Sequence, residues 1–95
     1  MDSKAEKLLA VLEETRELLA RPDNDFSWSS WNDGEEALWE IDALMVRVRE
    51  GDWIEALISV LYAPTGPIQE VSLSSGWGTE FLSLADRIDA LLASR

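Results

Sequence analysis

Histidine and cysteine are both absent from the 95 residues of this chain. Their loss removes the side chains that titrate near neutrality or bind zinc without unusual surroundings. Catalytic triads, thiol chemistry and most zinc sites go with them. Disulfides are excluded too, which fits either a reducing compartment or a chain that needs no staples. Basic residues are scarce: 8 Lys and Arg stand against 19 Asp and Glu, a net charge of −11. Between Asp23 and Glu55 ten acids meet only two bases, Arg47 and Arg49. Such a field repels phosphate backbones and anionic headgroups, so no nucleic-acid partner and no membrane surface is expected. Long hydrophobic runs are missing as well. The longest, Ala56 to Ala63, is interrupted by Ser59 and falls far short of the roughly 20 residues that a membrane span needs. Met1 to Lys7 alternate in charge and lead into an amphipathic pattern instead of a signal-peptide core. A cytoplasmic protein is the expectation.

What the chain does have is 46% hydrophobic residues and five tryptophans, enough for a single globular domain over residues 1–95 with one core. From Ser3 to Arg21, Leu8, Val11, Leu12, Leu18 and Leu19 fall at helical spacing, and Arg21-Pro22 ends that helix. The stretch from Asp23 to Asn32 sets Phe26, Trp28 and Trp31 among turn residues, and so aromatic a loop is expected to pack onto the core. Asp33-Gly34-Glu35-Glu36 has capping-box spacing and opens a second helix over about Gly34 to Glu50, with Gly51 at its end. Ala37, Leu38, Ile41, Leu44, Met45 and Val48 form its main apolar face. Trp39, Ala43 and Val46 point to the other side.

Asp52 with Glu55 has the spacing of another helix cap, while Ile58 to Tyr62 has β-branched and aromatic character, so residues 52–57 read as either helix or strand. The preferred reading is a helical turn followed by a strand. Ala63-Pro64-Thr65-Gly66-Pro67 is a turn signal, and Ile68 to Ser74 alternates, which completes a β-hairpin. A last helix over about Thr79 to Ala93 carries Phe81, Leu84, Ala85, Ile88, Leu91 and Leu92 on one face. The expected fold is α+β, three helices and one hairpin in the order α-α-β-β-α.

Candidate chemistry is thin. Asp23, Asp25 and Ser27 have the oxygen spacing that opens a calcium loop, but Trp28 stands where the turn glycine belongs and no bidentate Glu follows. No metal and no other cofactor is expected. Ser74-Ser75-Gly76 sits at a predicted strand-to-helix turn, yet lacks a base to activate a serine. A Ser-Lys dyad would need Lys4 or Lys7 from the far end of the chain. The glycines of Thr65-Gly66-Pro67 and Gly76-Trp77-Gly78 do not make a phosphate loop. The chain reads as a non-enzyme.

Asn24-Asp25-Phe26-Ser27-Trp28-Ser29-Ser30-Trp31, Ala63-Pro64-Thr65-Gly66-Pro67-Ile68-Gln69-Glu70 and Ser75-Gly76-Trp77-Gly78 together resemble a group of small bacterial single-domain proteins. The resemblance covers most of the chain. It implies a bacterial, cytoplasmic protein and brings no activity or catalytic residue.

Two functional readings follow from the residues themselves. The first is an acidic interaction protein, an immunity-type inhibitor of a basic partner, contacting it through Asp33, Glu35, Glu36, Trp39, Glu40, Asp42 and Val46. Trp39 would be its anchor, or the anchor of a homodimer if the chain is not a monomer. Against an exposed Trp39 stands packing of the hairpin or of the last helix over it, and because an unpaired hairpin must cover some apolar face, the core role is the preferred reading. The second reading is a small-ligand site for a sugar or flat ring, formed by Trp28, Trp31 and Trp77 with Asp25 and Gln69 as polar contacts. Exposure of the three rings separates the readings: a solvent-lined aromatic cleft favours a ligand, and buried rings leave Trp39 and its acids.

Overall fold

Among the residues that the computed structural model describes, 4–27, 29–52, 55–64 and 66–93, the regular secondary structure is entirely helical. The helices are α1 (Lys4–Leu19), α2 (Gly34–Arg49), α3 (Glu55–Leu61), α4 (Pro67–Ser75) and α5 (Gly78–Ala93). Helix α1 lies against both α2 and α5, and α4 lies against α5.

Each helix follows from where its apolar residues fall. In α1, Leu8, Val11, Leu12, Thr15, Leu18 and Leu19 are buried, a stripe at steps of three and four that faces inward. Helix α2 contributes Ala37, Ile41, Leu44, Met45 and Val48, and α5 contributes Phe81, Leu84, Ile88 and Leu91. Leu38, Ala85 and Leu92 are partly buried against this core. Residues expected on the inner faces of these three helices are therefore found there.

The hairpin is not. Among the described residues there is no strand: α3 and α4 occupy its place, and the fold is all-helical instead of α+β. The spacing explains the change. Ile58, Leu61 and Tyr62 are buried at helical steps, as are Ile68, Val71 and Ser72, so each short segment offers one inward helical edge. The alternation seen over Ile68 to Ser74 mixes Gln69 with Val71 and Leu73 and never produces a clean apolar strand face. Pro67 occupies the first turn of α4, where its missing N–H costs nothing. Gly76 ends the helix with φ 85°, and the N–H of Trp77 reaches back to the Ser72 carbonyl at 2.9 Å, a Schellman stop that only the left-handed region permits.

Two polar devices hold the layers together. Thr15 breaks the apolar stripe of α1, but its hydroxyl donates to the Val11 carbonyl at 2.8 Å. Its oxygen then accepts the hydroxyl proton of Tyr62, 2.6 Å away. Burial pushes the Tyr62 phenol well above its ordinary range. On the surface, Arg87 of α5 pairs with Glu14 of α1 at 2.6 Å and holds that carboxyl below the usual range.

Candidate functional site

Helix α2 begins at Asp33, whose extended backbone leaves its side chain free to accept the Glu36 N–H at 2.9 Å. Glu36 does not complete a capping box on Asp33. Its carboxylate turns one residue further back, to the backbone and side-chain amides of Asn32 at 3.4 and 3.0 Å. At the other end Gly51 takes φ 83°, while Gly51 N–H bonds Val48 and Asp52 N–H bonds Arg47. The Arg47 guanidinium closes over that turn onto Asp52 at 2.9 Å. Both ends of the helix are thus tied down.

Between these caps α2 presents Glu35, Trp39, Asp42, Ala43 and Val46 outward, all of them exposed. Trp39 is 74% exposed and Val46 51%. The core role expected for Trp39 is therefore overturned, because the hairpin that was to cover it is helical and lies elsewhere. Steps of three and four put Trp39 and Val46 on one stripe with Glu35 and Glu50 at its ends. Of the flanking acids, Asp42 is held by Arg16 of α1 through two contacts, at 2.7 and 3.3 Å. Glu40 is half-buried and accepts the indole N–H of Trp31. Asp33 and Glu36 serve the cap. Glu35 and Glu50 are the acids whose exposed carboxylates border the stripe without such duties.

The two described tryptophans of the alternative aromatic site do not line an open cleft. Trp31 is 3% exposed and Trp77 fully buried, and Trp28 lies outside the described residues. The N–H of Trp77 is taken by the Asn24 side-chain oxygen at 2.8 Å. Asn24 in turn donates to the Leu18 carbonyl at the end of α1 at 2.8 Å. Asp25 folds its carboxylate onto the backbone N–H of Ser27 at 2.9 Å, an Asx turn whose hydrogen bonds keep its pKa low. The same residue's own N–H binds Ser75 of α4 at 2.8 Å. The loop is stitched down by these bonds, and its Trp31 together with Trp77, between α4 and α5, supplies core area. Gln69 is half-buried on α4 and lines a groove between α4 and α5, apart from that loop.

No group of three or more acids, histidines or cysteines able to hold a metal occurs among the described residues, and no helix among them is long and apolar enough to cross a membrane. What sequence reasoning missed is on α4 and α5, where Leu73 and Leu82 are 67% and 60% exposed. Leu82 was legible, since it falls outside the inward register of Phe81, Leu84 and Ile88; Leu73 was assigned to a strand face that does not exist. Compared with protein-family models, with curated proteins and with solved structures, the chain matches none.

Proposed function

We propose that the chain is a non-enzymatic interaction protein that docks a basic partner on the outer face of α2, in the manner of an immunity-type inhibitor. The observation that supports this reading is Trp39, an indole 74% exposed on a helix capped at both ends. An aromatic anchor within a polar rim is the usual anatomy of a protein contact. The charge of −11 adds long-range attraction for cations and opposes pairing of this face with its own copy. Trp39 and Val46 supply the apolar contact, Glu35 and Glu50 the steering, and Asp42 a carboxylate that the partner must share with Arg16.

A photoreactive residue in place of Trp39 identifies the partner by cross-linking, and kinetics with the purified pair then test the chemistry. Association should slow steeply with salt and with Glu35→Lys. Trp39→Ala should speed dissociation by roughly thirtyfold, as expected for a loss of about 2 kcal/mol at a hot spot. A neutral or acidic partner, or binding indifferent to both salt and Trp39, refutes the reading.

A further inference from the structure

Charge is spread unevenly along the chain. Residues 56–79 contain one charged side chain, Glu70, and this charge-poor stretch builds most of α3, all of α4 and the first residues of α5. It carries Val60 and Leu73 and borders Leu82, apolar side chains that are 61%, 67% and 60% exposed. Leu73 and Leu82 form one patch. A Cβ at Gly78 would lie 3.4 Å from the Cδ2 of Leu73, so Leu73 lies over the first turn of α5. Leu82 stands one turn further along that face. The groove beneath them, floored by Ser72, Thr79 and Phe81, runs into a second lined by Tyr62, Pro64 and Ala85, with Gln69, Phe81 and Leu82 common to both.

The geometry points to this face as the seat of a second copy of the chain, related by a two-fold axis, with α5 running antiparallel to its mate across Leu82. Charge selects that occupant and that orientation. Two molecules of net charge −11 repel wherever acidic surfaces meet, and here each brings apolar side chains and uncharged backbone to the centre of the contact. In an antiparallel crossing, the residues one turn before Leu82 oppose those one turn after it in the other copy. Gly78 and Thr79 then face Asp86, so the positive amino end of one α5 receives the acid of the other. Asp86 and Asp89, which edge the groove, are thereby kept from meeting each other. Glu80 points away from the contact, into the groove between α1 and α5 beside Glu14 and Glu17. A self-complementary patch of this kind closes as a dimer and leaves no open edge.

This pairing is independent of the α2 face, and salt distinguishes the two. Salt screens the mutual repulsion of the acidic copies and should tighten the dimer, whereas it should weaken binding of a basic partner. Sedimentation equilibrium of the full chain over a concentration series should show a monomer–dimer equilibrium. Leu82→Asp should raise its dissociation constant at least about tenfold, the effect of losing one central side chain, and Trp39→Glu should leave it unchanged. Because the chain has no cysteine, Leu82→Cys supplies a single thiol. Under mild oxidation it should form a disulfide-linked dimer faster than Val46→Cys on α2. A chain that stays monomeric at every concentration and salt overturns the proposal and leaves the groove to a different protein. A dimer unaffected by Leu82→Asp, or equal cross-linking at positions 82 and 46, overturns it as well.

Discussion

Replacing Asn24 with alanine should destabilise the protein far more than its place in a surface loop suggests. Its amide joins two elements distant in sequence, donating to Leu18 at the end of α1 and accepting from Trp77 between α4 and α5. The orientation is fixed chemically, since a carbonyl only accepts and an indole N–H only donates. Truncation leaves the N–H of a fully buried indole without an acceptor, which costs about 1–3 kcal/mol. Loss of the donor to Leu18 adds about 1 kcal/mol, the net value of an ordinary hydrogen bond. The sum, about 2–4 kcal/mol, is a large share of the 5–15 kcal/mol typical of a domain. At roughly 4–8 °C per kcal/mol for a chain of this size, the melting temperature should fall by about 10 °C or more. Urea denaturation of Asn24→Ala, Trp77→Phe and the double variant gives the coupling, which should be about 1 kcal/mol or more. Asn24→Asp adds a sign test: its carboxylate faces the Leu18 carbonyl, so its deficit should shrink as acid protonates it and restores a donor. A loss below about 0.5 kcal/mol in Asn24→Ala, or additive single variants, refutes the reasoning.

Trp31→Ala should cost about 3–5 kcal/mol in the same assay, because the ring is buried and its N–H holds Glu40; a loss under 1 kcal/mol would contradict its place in the core. Gly66→Ala should cost about 1–3 kcal/mol, since an added Cβ would overlap the Val60 carbonyl oxygen and crowd those of Leu61 and Ala63; denaturation at the wild-type midpoint would show that the turn yields. Tyr62 is the one tyrosine, and its folded pKa is raised by burial. The folded state therefore keeps the proton longer than the unfolded chain, and the stability that Tyr62 confers is lost as pH rises past about 10. Ultraviolet titration of the phenol should coincide with loss of helical circular dichroism, and a phenol that ionises near pH 10 in a folded chain would contradict its burial.

The three long helices were legible because their apolar residues repeat over four turns, long enough for the helical period to exclude any other. Helices α3 and α4 span 7 and 9 residues, and over such lengths Ile58-Ser59-Val60-Leu61-Tyr62 satisfies strand preference and helical spacing equally well. Tertiary burial of Ile58, Leu61, Ile68 and Val71 decided between them, and no local propensity encodes that. The expected core role of Trp39 rests on the same ambiguity, since only a hairpin needs that face to cover, whereas α3 and α4 bury their own inward edges. Asp33 and Gly51 were read correctly as the limits of α2, because caps are local chemistry. The pairing of Asn24 with Trp77 was not, because it links residues 53 positions apart.

The fastening of α2 at both ends bears on how quickly, and at what entropic cost, its outer face would engage the partner proposed for it. Asp33 and Asn32 secure its start, Gly51 and the Arg47–Asp52 pair its end, and Arg16 and Trp31 grip its flanks through Asp42 and Glu40. A surface held in this way has its shape before the encounter, so little backbone freedom is lost on docking. Association at the proposed face would then need no slow rearrangement and should approach the regime set by diffusion and electrostatic steering.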